Sequence, residues 1–99
     1  DSVSAGLDLC LFDFGVNAGT GRAAKYLQNL IGATADGAIG PGTLGKLNDY
    51  MAENHINLVI EQYQKARQSY YESLNTFETF GKGWTRRVDE TTAAALRIA

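Results

Sequence analysis

The sequence has few of the residues that cross-link or interrupt small folds. Among its 99 residues are one cysteine, one proline and one histidine. Cys10 cannot form a disulfide within the chain, and its apolar neighbours favour a buried thiol. His55 has no second histidine or cysteine at a spacing typical of a metal site. We therefore predict no metal and no cofactor, and a fold that depends on its hydrophobic core.

An excess of one charge is also missing. Nine Lys and Arg residues stand against eleven Asp and Glu, a net charge of −2, which does not favour binding to a phosphate backbone. The basic cluster Lys82, Arg86 and Arg87 is too short to change this. Apolar runs such as Leu9 to Phe12 fall far short of the about 20 residues that span a bilayer. We predict no nucleic-acid partner and no membrane span.

Length and composition bound the architecture. A chain of 99 residues with 44% hydrophobic and 20% charged residues is typical of one globular domain. We therefore predict a single domain over residues 1–99. The sequence begins with Asp1 and shows neither a start methionine nor the basic and apolar regions of a signal peptide. We interpret it as a fragment, and its localisation stays undetermined.

The spacing of apolar residues predicts helices throughout. Residues 2–14 have helical periodicity, and the glycines and asparagine of 17–21 predict a break. A second helix is predicted from Arg22 to Gly32, a typical helix stop. A third begins near Pro41, because proline's missing N–H is not needed in a first helical turn. The N-terminal half is therefore predicted to hold three helices.

The longest periodic pattern predicts the fourth helix. Its apolar residues alternate steps of three and four, and we predict that they form the buried stripe. They are Ile56, Val59, Tyr63, Ala66, Tyr70 and Leu74. Residues 75–81 are predicted to be a loop, and a last helix is predicted from Gly83 and Trp84 to Ile98. About five helices and almost no strand indicate a compact all-α bundle.

Four segments, in order, resemble glycoside hydrolase family 108. They are Phe12 to Gly19, Ala23 to Gln28, Asp36 to Leu44 and Thr79 to Val88. This family comprises bacterial and phage N-acetylmuramidases, some labelled secretion activators, with a C-terminal predicted peptidoglycan-binding domain. The resemblance implies the C-terminal helical lobe of a lysozyme-like fold, with peptidoglycan glycan strands as the ligand. It also implies action on the bacterial cell wall, in the periplasm or outside the cell.

One departure from the family concerns catalysis. The family's catalytic glutamate lies in an N-terminal Glu-Gly-Gly segment, and no glutamate of this sequence precedes a glycine. Glycoside hydrolysis normally needs a carboxylic acid placed to protonate the leaving oxygen. The resemblance therefore implies a lobe without a catalytic residue, whose partner is a missing N-terminal catalytic lobe. A free-standing wall-binding or protein-interaction module without activity is the alternative, so whether the chain acts as an enzyme stays open.

Trp84 and Arg87 are the first candidates for glycan binding. An indole stacks on sugar rings, and a guanidinium binds the carboxylates of lactyl or peptide groups. Arg87 follows Trp84 by three residues and shares its side of a helix, whereas Arg86 points about 100° away. The alternative is that Trp84 belongs to the core and both arginines pair with Asp89 and Glu90.

Three more side chains complete the predicted glycan-binding set. Tyr71 lies beside the predicted buried stripe, where it could stack on a sugar. Asn17 belongs to a segment similar to the Phe-Asn-x-Gly pattern of phage-type lysozymes, which implies a bond to an N-acetyl group. Asp13 is a possible cleft carboxylate. The structural alternatives are a partly exposed tyrosine, a capping or left-handed Asn17, and an Asp13 bonded to the adjacent loop.

The segment from Asp36 to Thr43 resembles a signature of small peptidoglycan-binding modules. Turn chemistry accounts for its residues: Asp36 and Gly37 turn the chain, Pro41 begins a helix, and the Thr43 hydroxyl helps to cap it. We therefore interpret this segment as scaffold, with ligand contact as the alternative.

Overall fold

Five α-helices follow one another in the computed structural model, which describes residues 5–74 and 77–98, without the side chains of 77–80. The helices are α1 (Ala5–Ala18), α2 (Thr20–Ile31), α3 (Pro41–Glu53), α4 (Ile56–Glu72) and α5 (Phe77–Ile98). No strand occurs in those ranges. The predicted all-α bundle is confirmed, and so are the stop at Gly32 and the start of α3 at Pro41.

A single glycine separates α1 from α2. The predicted break within residues 17–21 is confirmed at Gly19. However, α1 extends past residue 14, where the apolar pattern ends, because helical bonding continues to the Gly19 N–H, which donates to the Gly15 carbonyl at 2.9 Å. Gly19 has φ +103°, a conformation that side chains with a Cβ adopt only with strain. One residue of this kind is enough to turn the chain.

The last helix starts earlier than predicted. Residues 75 and 76 lie outside the described residues, but the chain is helical from Phe77 onward, so the predicted loop over 77–81 is wrong. Gly81 and Gly83 each cost about 1 kcal/mol relative to alanine in a helix. Because α5 packs along both α4 and α1, tertiary contacts outweigh this local cost.

The core lies where α1, α4 and α5 meet, with α2 packed across α1 and α4. Phe14 stands at its centre, with its ring 5.4 to 6.2 Å from four tyrosine rings, those of Tyr26, Tyr63, Tyr70 and Tyr71. Cys10 is fully buried, as predicted, and burial raises the pKa of its thiol to about 12. The core is thus unusually rich in aromatic rings for its size.

The buried face of α4 is wider than the predicted stripe. Val59 and Tyr63 are buried as predicted, but Tyr70 is only half-buried and Tyr71 is 2% exposed. Arg67 is buried on the same face. Since α4 is covered by both α1 and α5, a second row of residues lies inside. Polar residues in that row obscured it in the sequence.

The Asp36 to Thr43 segment is attached to α2 through Gln28, which is fully buried. The Gln28 Nε2 lies 2.9 Å from Asp36 Oδ1 and 3.0 Å from both the Ala38 carbonyl and Thr43 Oγ1, and two amide protons serve these three acceptors. The Gly37 N–H donates to Gln28 Oε1 at 2.9 Å. The polar groups of this segment are thus bound within the protein, which favours the scaffold interpretation.

The Thr43 hydroxyl does not cap α3, contrary to the prediction. The N-cap residue is Gly40, and no side chain bonds to the first turn. The Thr43 hydroxyl instead accepts a hydrogen bond from Gln28 and donates to the Ala38 carbonyl, so it is not available to the first turn of α3.

Two absences concern function. No helix in the described part of the chain has the length and apolarity needed to cross a membrane. Among the same residues, no three His, Cys, Asp or Glu side chains are grouped so that they could hold a metal ion.

Candidate functional site

Three helices meet at the carboxylate of Asp13, which is 7% exposed. From α4, Arg67 Nη2 donates to Asp13 Oδ2 at 2.6 Å. From α5, Arg87 Nε donates to Oδ1 at 2.7 Å, and the Thr91 hydroxyl donates to Oδ2 at 3.2 Å. We refer to Asp13, Arg67, Arg87 and Thr91 as the Asp13 cluster. It joins Asp13 to residues that lie 54 to 78 positions later in the sequence.

The electrostatics of the cluster fix the charge of Asp13. Burial by itself raises the pKa of Asp13, but hydrogen bonds from Arg87 and Arg67 outweigh it and hold that pKa below its usual range. The bond to Asp13 in turn raises the pKa of Arg87. Asp13 is therefore anionic at neutral pH. It is not poised to donate a proton to a leaving group, which a general acid must do.

Trp84 lies on a buried tyrosine beside this cluster. Its ring stacks on that of Tyr71, with centroids 5.1 Å apart and planes 23° from parallel. The Tyr71 hydroxyl accepts a hydrogen bond from Arg67 Nε at 3.1 Å. Trp84 itself is half-buried. The indole thus has a fixed ring beneath it, connected through Arg67 to Asp13.

Asn17 lies at the same end of the bundle. α1 and α5 run antiparallel: a Cβ built on Gly6 would meet the Ala95 carbonyl, and Asp13 binds Arg87. Continuing this register brings Asn17, one turn beyond Asp13, to the level of Trp84. Asn17 is exposed. It is neither the N-cap of α2, which is Gly19, nor left-handed, since no described residue other than glycine has positive φ.

The five residues predicted to bind glycan therefore fall into an exposed group and a buried group. Trp84, Arg87 and Asn17 are at least partly exposed, whereas Asp13 and Tyr71 are buried beneath them. Tyr71 was predicted to stack on a sugar, but its ring is buried and cannot contact one.

Two arginines, Arg87 and Arg67, lie differently from what the sequence indicated. Arg87 pairs with Asp13 across the bundle rather than with Asp89 or Glu90. The sequence also gave no prediction for Arg67, because a charged residue in a helix is usually solvated. The helical spacing could have indicated that Arg67 is buried. It lies seven residues after Ile60 and four before Tyr71, so the three side chains share one face of α4, and all three are buried.

Comparison with known proteins gives the family. A family model described as "Predicted Peptidoglycan domain" matches residues 22–89, a span that includes Arg67, Tyr71, Trp84 and Arg87. The chain belongs to this family. It is accordingly a peptidoglycan-binding domain with an all-α fold. The family match supports the prediction that peptidoglycan is its partner.

A solved structure extends the similarity to the whole fold. The chain is 37% identical to Brucella abortus SagA and superposes on it with a TM-score of 0.90. The match covers 99% of this chain and 54% of the SagA chain, so this chain spans about half the length of that relative. The search of curated proteins found no significant match.

Proposed function

We propose that the protein binds peptidoglycan glycan strands on the surface formed by Asn17, Trp84 and Arg87, which we name the α1–α5 surface. The observation that carries this proposal is the half-buried indole of Trp84, stacked on the buried Tyr71 ring and one turn from Arg87. Sugar rings bind to aromatic faces that are held in a fixed orientation. Membership of the peptidoglycan family supplies the ligand class.

In this proposal the five predicted residues have different tasks. Trp84 stacks on a sugar ring, and the exposed Asn17 amide bonds an N-acetyl group. Arg87 contacts the ligand beside the ring. Tyr71 and Asp13 act from below, because their burial prevents contact: Tyr71 supports the indole, and Asp13 orients Arg87.

We propose further that this domain is the C-terminal lobe of a muramidase of the glycoside hydrolase 108 type. The four ordered segments and the half-length match to SagA support this assignment. Asp13 is ionised and accepts hydrogen bonds from Arg67, Arg87 and Thr91, so it is unsuited to donate a proton. This supports a catalytic acid in another lobe. We expect the 99-residue chain to bind cell walls and not to cleave them.

Sedimentation with insoluble peptidoglycan tests binding. We expect Trp84→Ala to lower the affinity for peptidoglycan by at least about threefold, or about 0.6 kcal/mol, because the stacking face is lost. The affinity is obtained from the bound fraction at several peptidoglycan concentrations. Leu58→Ala is the matched control, because Leu58 is 43% exposed and lies near the start of α4, far from the α1–α5 surface. The nearby Ile60 contacts the Gly6 region, at the opposite end of the bundle. Equal binding by both variants would refute the site.

The expected inactivity of the 99-residue chain by itself has a separate test. Purified cell walls incubated with the chain should release no reducing sugar at a rate comparable with lysozyme. Release at that rate would show that the proton donor lies within these 99 residues.

A protein-interaction role is the second candidate. Phe12 is 70% exposed and Val16 65%, one turn apart on α1, and Phe12 shares a groove with Ile39. Exposed apolar groups of this kind mark contact surfaces. Light scattering over a range of protein concentrations tests self-association, and Phe12→Ser should abolish any association found.

A further inference from the structure

We infer that Arg87 makes the α1–α5 surface selective for glycans that carry carboxylates, as muramyl sugars and their stem peptides do, over neutral glycans of N-acetylglucosamine alone. This inference rests on the proposed function and specifies its ligand.

The Asp13 cluster has unequal numbers of positive and negative groups. One carboxylate contacts two guanidinium groups, so the cluster has one positive charge in excess. Among the described residues, no second carboxylate forms an ion pair with either arginine. Glu90, three residues after Arg87, acts on it only through space.

Solvent reaches this excess charge mainly at Arg87. The side chain of Arg67 is fully buried, whereas that of Arg87 is 56% exposed. Any anion attracted to the cluster from solvent therefore meets Arg87. A neutral glycan gains nothing from this charge, so its presence favours ligands with a carboxylate.

The Arg87 guanidinium is held by Asp13 along one edge. Nε and Nη2 both contact Asp13 Oδ1, at 2.7 Å and 2.5 Å. The Nη1 end of the guanidinium is not used in these contacts. A guanidinium fixed along one edge loses little side-chain entropy when its other end binds a second carboxylate.

The position of Trp84 completes the recognition. It precedes Arg87 by three residues, or about 4.5 Å along the helix axis. A sugar ring on the indole would therefore bring a substituent of that ring, or the start of a stem peptide, within reach of the Arg87 fork.

Three soluble glycans of equal length test the inference by calorimetry. The first contains only N-acetylglucosamine. The second alternates it with N-acetylmuramic acid bearing free lactyl carboxylates, and the third carries stem peptides in amide linkage to those lactyl groups. We expect at least about tenfold tighter binding of the second or third than of the first. Which of the two gains identifies the carboxylate as lactyl or peptidic.

Two neighbouring arginines provide the matched variants. Arg87→Gln should reduce the preference to about twofold or less, and Arg86→Gln, which alters an exposed residue on another side of the same turn, should keep it. Added salt should weaken binding of the carboxylate glycans to the wild-type protein and leave the neutral glycan unaffected. The salt measurement needs no variant, so it holds even if Arg87→Gln impairs folding.

Equal affinity of the wild-type protein for all three glycans, at low salt, would overturn the inference. It would not overturn glycan binding itself, which depends on the loss of affinity in Trp84→Ala.

Discussion

A single buried carboxylate joins α1, α4 and α5. Asp13 is 7% exposed, and its two oxygens receive bonds from Arg67, Arg87 and Thr91. A buried ion pair adds little net stability when it is complete, but removing one partner leaves an uncompensated charge. Because Arg67 is fully buried, the protein depends on the negative charge of Asp13.

We predict that Asp13→Asn lowers the free energy of unfolding by about 3–5 kcal/mol at neutral pH, measured by urea denaturation. Asp49→Asn, at an exposed acid on α3, is the control and should change it by no more than about 0.5 kcal/mol.

The same carboxylate predicts a pH dependence. The folded-state pKa of Asp13 lies below its ordinary value of 3.8, so its contribution is complete above that pH and is lost as the pH falls through the folded-state pKa. The stability difference between the wild type and Asp13→Asn should therefore shrink on acidification below pH 3.8. A constant difference down to about pH 2 would contradict the assigned charge.

At the scale of the elements, the close approach of α1 to α5 sets the geometry of the site. A Cβ built on Gly6 would lie 2.5 Å from the Ala95 carbonyl oxygen and 2.9 Å from Ile60 Cδ1. Only a glycine lets the two backbones approach so closely. This contact fixes the register that brings Asp13 opposite Arg87.

Gly6→Ala should therefore destabilise the protein by about 1–3 kcal/mol, as other overpacked sites do. Gly45→Ala is the matched control, because Gly45 lies within α3 and nothing stands within 4 Å of its added Cβ; it should stabilise by about 0.5–1 kcal/mol. Thermal and urea unfolding of both variants measure these changes. A neutral or stabilising Gly6→Ala would mean that α1 and α5 can move apart at no cost.

For the molecule as a whole, the helices are unequally anchored. α4 packs on α1, α2 and α5, whereas the main partner of α3 is α2. One side-chain bond, from the Tyr50 hydroxyl to Gln62 Oε1 at 2.7 Å, links α3 to α4. Segments with few packing partners open at lower free energy than the global transition.

We predict that the amides around Leu47 in α3 exchange with deuterium through a local opening, at least about tenfold less protected than those around Tyr63 in α4. Native-state exchange followed by NMR measures both groups. Equal protection, with the same dependence on denaturant, would show that α3 unfolds only with the rest.

The sequence by itself determined the helical class, the break between α1 and α2, and the approximate positions of α2, α3 and α4. Local propensity and apolar spacing act over a few residues, so they are visible in the sequence. The start of α5, the burial of Tyr71 and the role of Arg67 were decided only by tertiary structure. Each depends on which surfaces α1, α4 and α5 cover, and Arg67 and Asp13 become partners only when packing closes a separation of 54 residues.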